Sequence, residues 1–182
     1  MDAESWHYPI SRGGDRLFDV LEEMGDFKLN PEDVPLIIKL IENPEYKTSR
    51  LFTGAVDLFT HDCIHVLLGR GLLVKDEAFV IGFTMGSTKK MTRWRRNLFM
   101  FASKYLYPEG YKFNENERYI FYSGVLAGEK CPIDLTTVKF NSFANEKVSE
   151  IRDKLGIDVR LLECIYCVEQ KLFPDKECQR LI

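Results

Sequence analysis

A chain of 182 residues with 45% apolar, 29% charged and 13% aromatic side chains can bury an ordinary core and fits one domain, which excludes the disordered class. Its net charge of −3 argues against nucleic acid as the main partner, because duplex binders are usually basic. The five cysteines, at 63, 131, 164, 167 and 178, are an odd number scattered along the chain, which favours reduced thiols over a disulfide framework.

The opening stretch MDAESWHYP is acidic and has no apolar h-region, so the expectation is neither a signal peptide nor a transit peptide. Residues 1–14 read as an N-terminal arm, with no role assigned to His7. In DRLFDVLEEM, residues 15–24, Leu17, Val20, Leu21 and Met24 share one helical stripe, with Gly25 as a stop. A second helix is expected over 30–44, begun by Asn30, Pro31 and Asp33 and ended before Pro44. A third is expected from Arg50 to Leu68, capped by Thr48 or Ser49 and broken by Gly69 and Gly71.

The next helix is expected from near Asp76, carrying Ala78, Phe79, Ile81, Gly82 and Met85, although its Phe-Val-Ile run also reads as a strand. Further helices are expected at about 92–106, 116–128, 143–155 and 158–172, separated by Pro108, Gly110, Pro132, Gly156 and Pro174. The longest nearly apolar run, AFVIGFTMG at 78–86, is about half of what a membrane span needs. With no repeat and no long linker, the expectation is one mostly helical domain over 1–182, a bundle of seven to eight helices.

The chemistry concentrates in THDCIHVLLGRGLLVKDEAF, residues 60–79, which holds two of the three histidines. His61 and His65 are one helical turn apart, with Cβ atoms about 5–6 Å from each other. Two imidazoles so placed can each aim a nitrogen at one ion about 2.0–2.1 Å away. Asp62 lies about 100° round from His61 and still neighbours His65, so it can join the site, orient a ligand or serve as a base. Cys63 points away from both histidines and reads as core. The glycine-flanked turn after Leu68 folds the next helix back and brings Glu77 alongside His65. The alternative is plain: His-x-x-x-His pairs also occur by coincidence, and an acid near a helix N-terminus is favoured there by the dipole.

Two general patterns fit poorly. The zincin H-E-x-x-H would need Glu where Asp62 stands, and HD-type phosphohydrolases need an upstream histidine for which His7 is badly placed. His61-Asp62-x-x-His65-x11-Glu77 does resemble the H-D-x-x-H-x11-E motif of the coenzyme Q (ubiquinone) biosynthesis protein Coq-four family. The preceding LFTGAVDLFT is similar too, and the resemblance is specific over about residues 45–90.

That resemblance implies an all-α fold with His61, Asp62, His65 and Glu77 as ligands of one divalent ion, usually zinc. The donors also suit iron(II), manganese or cobalt. It implies metal-dependent decarboxylation, coupled to hydroxylation, at ring carbon one of a polyprenylated benzoate, or a scaffold role in a quinone-biosynthesis complex. Asp62 is the candidate for acid–base catalysis. Association with other quinone-biosynthesis proteins and a homodimer are compatible with this reading.

Residues 87–107, STKKMTRWRRNLFMFASKYLY, carry six basic residues and no acid. They read either as a solvated helix end with an aromatic core face, or as a patch for an anionic membrane surface and a polyprenyl-ring lipid. The patch would comprise Lys89, Lys90, Arg93, Trp94, Arg95, Arg96 and Phe99. The expected location is cytoplasmic, peripheral on the inner face of the cell membrane. Phe79, Phe83 and Phe99 are expected to line a groove for the isoprenoid tail. Cys164-x-x-Cys167 sits mid-helix among apolar residues without a second pair, and reads as core. Two readings follow: a metal-dependent enzyme of quinone biosynthesis, or a non-catalytic lipid-binding scaffold whose ion staples the hairpin. A hydrolase using zinc-bound water on a phosphate ester is a third.

Overall fold

Apolar spacing and local caps build eight α-helices among the residues described in this computed structural model, namely 6–25, 54, 56–107 and 112–182. They are α1 (Leu17–Gly25), α2 (Leu58–Leu68), α3 (Val74–Ser87), α4 (Arg93–Tyr105), α5 (Glu115–Gly128), α6 (Val148–Leu155), α7 (Val159–Leu172) and α8 (Lys176–Gln179). Two 3-10 turns, Leu135–Thr137 and Phe140–Phe143, join α5 to α6. No strand occurs among the described residues; one isolated antiparallel bridge pairs Arg16 with Lys147. The chain is therefore all-α, as its sequence suggests. The helix expected at 30–44, and the caps expected at Thr48 and Ser49, lie outside the described residues.

α2 begins later than the sequence suggests, at Leu58 rather than near Arg50. Gly54 at φ 102° turns the chain, and the Asp57 carboxylate caps the helix by accepting from the Thr60 amide at 2.9 Å. Gly69 ends it in the left-handed region at φ 66°, where its N–H meets the carbonyls of His65 and Val66. α3 starts at Val74, two residues earlier than expected, because the Asp76 carboxylate reaches back to the Leu73 amide at 3.2 Å. α6 begins at Val148 instead of 143, since the 3-10 turn and the Arg16–Lys147 bridge occupy the preceding stretch.

α3 is the central helix. Twelve of its fourteen residues are buried, which explains why Phe-Val-Ile shows no one-sided helical periodicity. It crosses α5 at close range through facing glycines. A Cβ on Gly82 would strike the Phe121 carbonyl oxygen, and one on Gly86 that of Val125. Reciprocally, Gly124 faces the carbonyl of Phe79 and Gly128 that of Phe83. Phe79, Phe83 and Phe99 therefore fill the core instead of lining a groove for a lipid tail; Phe99 stacks on Phe121 with ring centroids 5.0 Å apart. Aromatic bulk on the faces of α3 and α4 is needed to fill space around a glycine crossing.

Residues 6–12 of the N-terminal arm pack onto the helices. Trp6, Tyr8 and Ile10 are buried, and Arg152 of α6 donates to the carbonyls of Ile10 at 2.8 Å and Arg12 at 2.6 Å. Cys63 is wholly buried, as expected. Cys164 and Cys167 are exposed, contrary to the core assignment. α7 buries the stripe Leu162, Tyr166 and Glu169, which turns positions 164 and 167 outward.

Candidate metal centre

His61 and His65 stand one turn apart on α2, and Glu77 sits in the first turn of α3, so the short turn between these helices sets the site. His61 Nε2 lies 2.9 Å from Glu77 Oε2, His65 Nε2 lies 3.2 Å from Glu77 Oε1, and the two imidazole Nε2 atoms are 3.0 Å apart. The rings meet edge-on, with centroids 4.6 Å apart and planes at 69°. Two nitrogens and a carboxylate thus close a small triangle.

This triangle fits a divalent ion. Tetrahedral donors about 2.0–2.1 Å from an ion are about 3.3 Å apart, and adjacent octahedral donors at a similar distance are about 3.0 Å apart. The observed edges span that range, so His61, His65 and Glu77 could hold a metal ion, and their geometry leaves its identity open. Each of the three residues offers one ligand atom to a group lying within 4.8 Å of one another.

His65 is wholly buried, and its Nδ1 lies 2.7 Å from the Gly71 carbonyl oxygen. A carbonyl can only accept, so Nδ1 carries a proton, and in the neutral ring Nε2 is the atom that offers a lone pair to the triangle. His61 and Glu77 retain 18% and 31% side-chain exposure, which puts one side of the triangle at the surface. Burial pushes the Glu77 carboxyl up, but the His65 and His61 imidazoles outweigh it and hold the group well below the usual carboxylate range.

The carbonyls ending α2 are tied down by side chains the sequence did not single out. Arg152 Nε donates to the Leu67 carbonyl at 2.9 Å, and the Tyr166 hydroxyl donates to that of Leu68 at 2.5 Å. Arg70, in the turn itself, is fully buried between the rings of Phe79 and Tyr166, with its guanidinium carbon 4.0 and 4.2 Å from their centroids. It makes a bidentate pair with Glu169 at 2.9 and 2.6 Å. His7, assigned no role, lies with Nε2 3.1 Å from the Gly69 carbonyl. The local signal for Arg70 was a charge inside the apolar stretch LLGRGLL, and Glu169 carried no such signal.

Three of the four expected ligands converge. Asp62 is buried on α2 and stands outside the triangle, because its position, a further 100° or so round the helix, turns it from Glu77.

The basic block divides. Lys89, Lys90, Arg93 and Trp94 are exposed, Arg95 and Arg96 partly so. Phe99 is fully buried and cannot belong to a surface patch; its stripe on α4 packs against Phe121. Phe101, Tyr105 and Leu106 are exposed in its stead. No described helix is long and apolar enough to cross a membrane.

The chain matches no protein-family model, no curated protein and no solved structure.

Proposed function

We propose that this chain is a divalent-metal-dependent protein of quinone biosynthesis that acts on the ring of a polyprenylated benzoate, where the ring-carbon-one carboxyl group leaves as carbon dioxide, a hydroxyl from water takes its place, and dioxygen accepts the two electrons and two protons as hydrogen peroxide. The observation that carries it is the His61–His65–Glu77 triangle with His61 and Glu77 at the surface. Two imidazoles and one carboxylate are a donor set of catalytic sites that keep positions open, for zinc and for iron(II) alike. The resemblance of His61-Asp62-x-x-His65-x11-Glu77 to the Coq-four motif supplies the substrate class.

A divalent ion held there would supply Lewis-acid polarisation of a ring carboxylate and an adjacent hydroxyl. The bond from His65 Nδ1 to Gly71 orients Nε2 toward the triangle, and the Glu77 carboxylate adds the negative charge that favours a cation. Asp62, next to His61 but outside the triangle, is assigned proton transfer at the ring. A lipid-facing surface on α4, with Trp94, Phe101 and Tyr105 exposed among cations, would hold the protein against an anionic membrane. The tail of the substrate would then stay in the bilayer.

A scaffold reading has one observation in its favour. Two cavities, of about 210 and 260 Å³, open away from the triangle, one beside Met100, Lys104, Phe113 and Arg118 and the other beside Tyr119, Ser123, Ile165 and Val168. In that reading the ion staples α2 to α3. Lipid analysis of cells lacking the protein separates the two. The enzyme reading expects a carboxylated polyprenyl precursor to accumulate, wild-type protein to relieve the block, and Asp62→Asn to leave it. Normal quinone levels with His65→Ala would leave the scaffold reading standing alone.

A further inference from the structure

The triangle is held by residues more than ninety positions away. α8 and its flanks lie across the first turn of α3, the turn that carries Glu77. Lys75 Nζ is 2.6 Å from Asp175 Oδ2 and 3.5 Å from Glu177 Oε2. The Lys75 amide, one of the amides at the start of α3 with no partner inside the helix, donates to Glu177 Oε1 at 3.0 Å. The Arg180 guanidinium closes on the Asp76 carboxylate, which also caps the Leu73 amide. The same guanidinium covers Gly71, where a Cβ would strike it.

Gly71 supplies the carbonyl that fixes the His65 proton on Nδ1, and Lys75 and Asp76 immediately precede Glu77. One short segment therefore holds both the acceptor behind His65 and the backbone beneath Glu77. None of its side chains belongs to the converging group. The buried Arg70–Glu169 pair anchors the arrangement from below, with Cys178 Sγ 3.5 Å from Glu169 Oε1.

We infer that residues 175–180 are a positioning clasp for the metal centre, with Arg180 as its principal residue. The inference rests on the reading that His61, His65 and Glu77 bind a divalent ion, and adds that the affinity and symmetry of the site depend on the C-terminal segment. Groups that orient ligands without touching the ion typically change affinity ten- to a hundredfold when removed.

The test is a cobalt(II) titration of the full chain, followed through the visible absorption of the bound ion and run alongside thermal unfolding. Arg180→Ala is expected to weaken cobalt(II) binding by about tenfold or more and to shift the absorption bands. Arg180→Lys, which keeps a cation beside Asp76, should recover part of the affinity. Glu177→Gln, a milder change, provides the same readout should Arg180→Ala not fold, with a smaller expected loss. Phe140→Leu, a buried change outside the clasp, should lower the unfolding temperature and leave affinity and bands unchanged. Wild-type affinity and bands in both Arg180→Ala and Glu177→Gln, or an equal loss in Phe140→Leu, would overturn the clasp while leaving the metal site intact. Wild-type protein that takes up no cobalt(II) would overturn both.

Discussion

His65 Nδ1 donates to the Gly71 carbonyl at 2.7 Å, and this bond decides which nitrogen of the ring meets His61 and Glu77. Without it the neutral imidazole could exchange tautomers and present an N–H where a ligand needs a lone pair. The turn between α2 and α3 therefore does more than reverse the chain. It selects the tautomer of one donor while delivering another.

The surface of α4 makes a prediction about membranes. Binding to anionic vesicles should be strong at low salt and fall as ions screen the cations. Arg95 and Arg96 changed together to Glu should weaken it by about 1 kcal/mol or more per charge. Trp94→Ala and Phe101→Ala should also weaken it, since both rings are more than half exposed at 54% and 56%. Sedimentation with vesicles of varied charge measures this; equal binding to neutral and anionic vesicles would reduce α4 to an ordinary helix.

Thiol reactivity should split into two groups. Cys164 and Cys167 are exposed, whereas Cys63, Cys131 and Cys178 are buried. Burial also pushes the Cys131 and Cys178 thiols up, away from the reactive thiolate. A disulfide reagent should titrate two thiols quickly in native protein and the remaining three only on unfolding. A single fast thiol would contradict the outward face of α7.

The α3–α5 crossing predicts a steric penalty. Gly124→Ala or Gly128→Ala places a methyl against the carbonyl of Phe79 or Phe83, where backbone, not a flexible side chain, must yield. Overpacking of this kind costs about 1–3 kcal/mol. Gly14→Ala, which meets nothing within 4 Å, is the control. Denaturant midpoints should separate the two changes clearly.

Much of the helical plan was legible because most helices bury one stripe. Leu17, Val20, Leu21 and Met24 announce α1, and Gly69 and Gly156 mark the ends of α2 and α6 with left-handed turns. α3 was ambiguous because it is buried all round. The convergence of His61, His65 and Glu77 was legible because all three lie on one local hairpin. Arg70–Glu169 and Arg180–Asp76 were not, since each pair joins residues about a hundred positions apart. The outward face of Cys164 and Cys167 was missed for a related reason. The stripe of α7 that faces Arg70, with buried Tyr166 and Glu169, is set by these long-range contacts.

Alkaline pH offers a check on the packing around the site. Burial, aided for Tyr8 by the Asp15 carboxylate, raises the Tyr8 and Tyr166 phenols from 10.0 to about 12. Because the folded value exceeds the unfolded one, the stabilisation is complete below pH 10.0 and is lost as pH rises toward about 12. Absorbance of phenolate should show these two tyrosines ionising together with unfolding. Tyr166→Phe should remove one late-titrating group and free the Leu68 carbonyl, costing about 1 kcal/mol.

The central claim is that His61, His65 and Glu77 form one metal site, and elemental analysis of anaerobically purified protein tests it most directly. Wild-type protein should carry or take up one equivalent of a divalent ion. His61→Ala, His65→Ala and Glu77→Ala should each lose most of it while helical content by circular dichroism is kept, because the core of α3 and α5 lies apart from the triangle. A full equivalent of metal retained in all three variants would contradict the assignment.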